Sequence, residues 1–153
     1  MRKLLAKFIN RIKSNDIFFL HADMFPHRVH NEVNCGIQEP HMVNLAQGLS
    51  AQNKTVFIYG VCGFVLYKSY EQIKLVLRRQ SGSVIFVNAG ANGCYGKIGK
   101  GHTIDDDAEL CELLKIPLYE PKTRKEFLRL SKDLINTQGV HFVRLGFDNE
   151  KWE

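Results

Sequence analysis

Glu39 follows Gly36-Ile37-Gln38 and directly precedes an apolar helical pattern, a place from which a carboxyl group could do acid–base chemistry. An ordinary explanation exists too. An acid in a first helical turn complements the helix dipole and helps to cap it, and on composition alone that explanation is preferred. His41 lies two residues on, as a pocket residue or simply a polar residue of the first turn. His102 sits among Gly90, Gly93, Gly96, Gly99 and Gly101. So many glycines let a backbone approach a ligand closely, or they form a surface loop with an exposed imidazole. Phe64 and Tyr67, three apart at a helix start, read as core or as pocket walls. Tyr59 ends a strand and is a further candidate for a pocket edge. Arg144 ends another strand, where a guanidinium could hold a phosphate bidentately or pair with an acid such as Asp148. The run Asp105-Asp106-Asp107 invites a metal assignment, but we read it as helix N-terminal capping.

The elements that must position these residues alternate strand and helix. Apolar runs predict strands at Asp16 to His21, Thr55 to Val61, Ser83 to Gly90, Ile116 to Tyr119 and Val140 to Leu145. Helical spacing predicts an amphipathic first helix through Leu4, Leu5, Phe8, Ile9 and Ile12, and further helices over about 40–52, 67–79 and 105–114. Thr123 with Glu126 forms a capping box for a helix running to about Asn136. Strands that are apolar throughout, separated by helices, imply a three-layer α/β domain with a mostly parallel sheet. Such sheets bind ligands beyond the carboxyl ends of their strands. The tail GFDNEKWE reads as loose.

The 153 residues suit one domain, with 44% hydrophobic and 24% charged residues. No apolar run approaches the ~18 residues a membrane span needs, and the basic N-terminus lacks the features of a signal peptide. The formal charge is +5, but no basic stripe is interleaved with aromatics, which argues against nucleic acid as a partner. A mild basic excess also fits phosphorylated ligands. Cys35, Cys62, Cys94 and Cys111 form no CxxC pair and read as buried thiols in a reducing cytoplasm.

Gly36-Ile37-Gln38-Glu39, then Met42, Ala46 and Gly48-Leu49, resembles the GIxE…M…A.GL signature of the transketolase and deoxyxylulose-phosphate synthase family. Phe64, Tyr67 and Tyr70-Glu71-Gln72-Ile73 resemble the F…R-A-x-E-Q-I/V run after the second strand. GCYGKIGKGHTIDDDAEL resembles the glycine-rich loop with its THQ…ED motif, and Ile116-Pro117 with Glu120-Pro121 resembles the following strand. Phe142-Val143-Arg144-Leu145 resembles the closing strand, so the likeness runs from about Asp16 to Leu145.

The resemblance implies the pyrimidine-binding (Pyr) domain of a thiamine diphosphate enzyme. In that family the cofactor's own aminopyrimidine, as its imino tautomer, removes a proton from the thiazolium ring. A carboxylic acid hydrogen-bonded to a pyrimidine nitrogen promotes that tautomer, and burial can keep a proton on such an acid. The resemblance assigns this role to Glu39. It assigns Phe64 to the stacking position, although an alignment shift of one residue places Val65 there, and Tyr67 to the pocket. It turns His102 towards the substrate, makes His41 a pocket candidate and directs Arg144 to a sugar phosphate. Gly101 stands where the family has threonine before this histidine, and Ile98 where it has aspartate, which implies altered substrate recognition.

The family's magnesium site lies in a different domain, whose GDG…N segment is missing from this sequence. The expectation is a Pyr subunit of a split transketolase-like enzyme. A separate chain would hold Mg2+ and the diphosphate, and the assembly would be a homodimer of heterodimers. Two other readings are a component of a two-subunit 2-keto acid decarboxylase and a non-catalytic structural or regulatory subunit.

Overall fold

The computed structural model describes residues 2–23, 25–75, 77, 81–89, 98–99, 102 and 106–145. Among these, the strands are β1 (Ile17–His21), β2 (Glu32–Asn34), β3 (Thr55–Val61), β4 (Ser83–Ala89), β5 (Leu118–Tyr119) and β6 (Gly139–Leu145). The helices are α1 (Arg2–Ile12), α2 (Glu39–Ser50), α3 (Cys62–Lys68), α4 (Tyr70–Leu75), α5 (Asp107–Leu114) and α6 (Arg124–Leu134). The strands form one sheet in the order β2-β1-β3-β4-β6-β5, and every pairing is parallel.

Both central strands, β3 and β4, are buried at every position. Their alternate side chains therefore feed two cores. Val56, Ile58, Val84 and Phe86 meet Met42, Val43, Leu66, Ile73 and Leu114 of α2 to α5. Phe57, Tyr59, Ile85 and Val87 meet Leu5, Phe8, Ile9 and Phe127 of α1 and α6. Chain direction explains the division. Connections of parallel strands are right-handed, so those advancing across the sheet through α2, α3–α4 and α5 share one face. The connections that run backwards, from β1 to β2 and through α6, fall on the other face, where Phe25 and Val29 join the second core.

Three expectations change. No apolar run announces β2, whose three residues are half-buried or exposed at the sheet edge. The expected helix over 67–79 is instead α3 and α4, broken at Ser69. α3 begins at Cys62 with no intervening loop. A Cβ on Gly60 would lie 2.7 Å from Val65 Cγ2, so glycine permits the close turn from β3 into α3. The capping box holds with one variation: Glu126 N–H donates to Thr123 Oγ1, while the Glu126 carboxylate accepts from Lys122 N–H rather than that of Thr123. Arg78, Arg79, Cys94 and the tail lie outside the described residues. No helix among the described residues is long and apolar enough to cross a membrane.

His141 on β6 is buried, with Nε2 3.1 Å from the Thr137 carbonyl. Burial lowers its pKa below the usual 6.5. The unfolded chain therefore binds this proton more readily, and stability from the neutral ring is complete above 6.5 and lost as pH falls below it. His141→Gln, which keeps an N–H for Thr137, is expected to flatten this acid-side loss. Chemical denaturation at pH values either side of 6.5 measures it, and an unchanged slope counts against a buried neutral histidine.

Candidate active site

Every candidate side chain except Tyr59 and Arg144 lies past the carboxyl end of a strand. Glu39 follows β2, Phe64 and Tyr67 follow β3, and His102 follows β4. This edge also contains the switch point, because the chain leaves β1 and β3 in opposite directions across the sheet.

Local hydrogen bonds set Glu39. Asn34, at the end of β2, accepts from the N–H groups of Asp23 and Gly36 through Oδ1 and donates through Nδ2 to the Asp23 carboxylate. That joins the loop after β1 to the turn before α2, where Gly36 adopts a positive φ of 66°. Met42 N–H then bonds to the Gln38 carbonyl, and α2 begins at Glu39 with Pro40 behind it. The helix-dipole explanation of Glu39 is thus geometrically satisfied. Yet the residue is only 4% exposed, which a simple surface cap would not be.

α3 brings two side chains, Phe64 and Lys68, towards that acid. Asn88, fully buried on β4, accepts from Gly60 N–H at 3.1 Å and fixes the turn from which α3 starts. Val65 packs inward with no exposure, whereas Phe64 is half-buried. The ring at the site is therefore that of Phe64. Lys68, one turn on, reaches Glu39 with Nζ 3.1 and 3.3 Å from its two carboxylate oxygens. The same ammonium lies 4.5 Å from the centroid of the Phe64 ring, a cation–π contact. His102 meets the Phe64 ring edge to face at 4.8 Å. Glu39, Lys68, Phe64 and His102 thus form one contiguous group.

The remaining candidates separate from it. The Tyr67 hydroxyl bonds to the Asp106 carboxylate at the start of α5, with the ring half exposed. His41 is exposed on the first turn of α2. Tyr59 is buried on the opposite sheet face, 5.0 Å from Phe25 and 6.4 Å from Phe19 between ring centroids. Its ring belongs to the α1–α6 core, because odd-numbered positions of β3 point there.

Arg144 forms an ion pair, as one of its two readings required, with Asp107; Asp148 lies outside the described residues. Nε lies 2.8 Å from Oδ2 of an acid with no exposure at all. The acidic run is therefore not mere capping: Asp107 ties α5 to β6. Burial raises its pKa, and the Arg144 charge offsets only part of that. Cys111, one turn further along α5, has its thiol pushed up to about 12 by burial and then by Asp107. Among the described residues no cluster of His, Cys, Asp or Glu could hold a metal ion. Gly90, Gly93, Gly96 and Gly101 lie outside the described residues.

Sequence reasoning missed Lys68, and it gave Asp107 to capping rather than to an ion pair. Each finds its partner across more than 25 positions of sequence, 29 for Lys68 and Glu39. The only available signal was indirect, since a buried carboxylate needs a cation or a donor somewhere.

No protein-family model matches the chain. One of the subunits of apulose-4-phosphate transketolase from Phocaeicola vulgatus is 29% identical over 115 residues, which is 74% of this chain and 37% of that protein. The chain thus spans little more than a third of that relative. Among solved structures, a split-gene transketolase in an inactive beta4 tetramer superposes with TM-score 0.77 at 21% identity, covering 95% of this chain and 50% of that one. Transketolase from Campylobacter jejuni gives TM-score 0.82 at 14% identity, over 95% of this chain and 25% of that one. The chain is thus similar in sequence to part of a transketolase subunit, and it has the fold of the pyrimidine-binding domain of transketolases.

Proposed function

We propose that this chain is the pyrimidine-binding subunit of a split transketolase-like enzyme, which transfers a ketol unit to or from a sugar phosphate. The observation that carries this reading is the buried Glu39 carboxylate close to a half-buried aromatic ring, that of Phe64, the two bridged by Lys68. That donor set fits an aminopyrimidine, which needs an acid at one ring nitrogen and a surface to stack on. When bound, thiamine diphosphate supplies the carbon nucleophile of the reaction. Glu39 holds the proton at the pyrimidine nitrogen. Phe64 orients the ring, Tyr67 borders the pocket, and His102, in contact with Phe64, faces the substrate with His41 on the rim. Arg144 fixes the end of β6 through Asp107 and stands at the substrate side of the sheet.

The diphosphate and Mg2+ fall to a second chain, and the assembly is a homodimer of heterodimers. The Phocaeicola relative is named as one subunit of its enzyme, which supports a partner chain. So does the surface: Ile37, Tyr67, Ile98 and Leu113 are each more than half exposed. The test mixes this chain with a candidate partner carrying a GDG…N segment, encoded in a neighbouring reading frame. Calorimetry with thiamine diphosphate and Mg2+ is expected to show tight binding only for the mixture. Binding by the mixture no tighter than by the partner alone overturns the reading.

A further inference from the structure

Lys68 makes both of the contacts that the proposed cofactor ring would need. Its ammonium is 3.1 Å from the nearer Glu39 oxygen, a hydrogen-bonding distance. It also stands 4.5 Å from the Phe64 ring centroid, within the range of a stacked aromatic partner. A pyrimidine stacked on Phe64 with a nitrogen on Glu39 and the Lys68 ammonium cannot both be there. We infer that Lys68 is a placeholder: in the free chain its ammonium occupies the ring's place between Glu39 and Phe64, and cofactor binding exchanges it for the ring. This inference rests on the pyrimidine-binding reading of the site.

The chemistry favours a lysine in that role. The carboxylate of a residue only 4% exposed cannot stand without a partner, so the empty site needs an internal cation. The Lys68 side chain is itself 44% exposed and is carried on a flexible stem at the last turn of α3. Its head can move to solvent when another donor reaches Glu39, and it can return when that donor leaves. A ligand that only stacks, or only hydrogen-bonds, would replace one of the two contacts and leave Lys68 the better occupant. The placeholder therefore selects for a flat ring that also carries a donor or a proton-sharing nitrogen at its edge.

The test uses the whole chain and, as ligand, the aminopyrimidine half of thiamine as its free hydroxymethyl compound, which carries no phosphate and needs no Mg2+. The Lys68 Cε protons, held above a phenyl face, are expected to resonate upfield of an ordinary lysine in the free chain. They should lose that shift in Phe64→Ala and return to the ordinary position as the pyrimidine saturates the wild-type chain. Lys68→Met is expected to bind the pyrimidine about tenfold more tightly, and Lys68→Arg within about twofold of wild type, since a competing cation–π contact and ion pair are then lost or kept. Absence of the upfield shift in the free chain overturns the inference, and so does a shift that persists at saturation. In the second case the pyrimidine reading itself survives. A pyrimidine that binds neither wild type nor Lys68→Met overturns both, because a vacated pocket that refuses the ring is not a ring site.

Discussion

In the reconstituted enzyme, Glu39→Gln is expected to slow exchange of the cofactor's C2 proton by about a hundred- to ten-thousand-fold, the usual contribution of one positioned proton-transfer group. Glutamine keeps the shape and a hydrogen bond but cannot give or take the proton. The fold should survive the change. Lys68, released from its partner, is half exposed and can solvate itself, and the first turn of α2 keeps its bonds to Gln38 and its Pro40 start. Deuterium exchange followed by proton NMR gives the rate, and a melting curve gives the control. Exchange within a factor of two of wild type, in a folded complex, would remove Glu39 from the chemistry and leave it a helix-capping acid.

Arg144→Met is expected to cost about 3–5 kcal/mol at neutral pH, because it strands a buried carboxylate without its cation. For a chain of this size that lowers the melting temperature by about 10 °C. Asp107→Asn should cost far less. Arg144 retains 15% exposure and can find water, whereas Asp107 has none. The pH dependence separates the cases. The folded pKa of Asp107 is raised above its ordinary 3.8, so the folded state binds this proton more strongly than the unfolded one. Stability from this group is complete below 3.8 and declines as pH rises through the folded value. Arg144→Met should steepen that decline, and Asp107→Asn should abolish it. If Arg144 acted on a sugar phosphate alone, the methionine variant would raise KM for the phosphorylated substrate and melt like wild type. Equal melting temperatures at neutral pH would thus refute the structural pair.

What could be read in advance follows from how local each signal is. β1, β3, β4 and β6 announce themselves because a strand covered on both faces must be apolar at successive positions, as Phe57-Ile58-Tyr59 and Val84-Ile85-Phe86-Val87 are. The Thr123–Glu126 cap is equally local. β2 is not, since Glu32-Val33-Asn34 is held at the edge by pairing with β1 and by Glu32, which joins His21 and Val29 N–H. The start of α3 was hidden because glycine followed by a β-branched residue and cysteine carries no helix-start signal, while the reason for it, the approach of Val65, is tertiary. Glu39 and Phe64 were singled out through motif resemblance, and their neighbourhood in space is a property of the fold. Tyr59 was misplaced because a strand end shows its position along the sheet but not which face its ring takes; counting alternation from Phe57 would have given the face.

The all-parallel sheet has a kinetic consequence. Among the described residues no two strands are joined by a hairpin, so no pairing forms from a short local segment. β3 meets β1 across 38 positions, at Ile17 and Thr55, and β6 meets β4 across 56, at Ser83 and Gly139. Loop closure must precede each reward in contact energy, which places such a chain among slow folders and leaves bare strand rims while it waits. Glu39 enters from β2, the more exposed of the two short edge strands, and the acid is thus brought to its place by the least protected rim of the sheet.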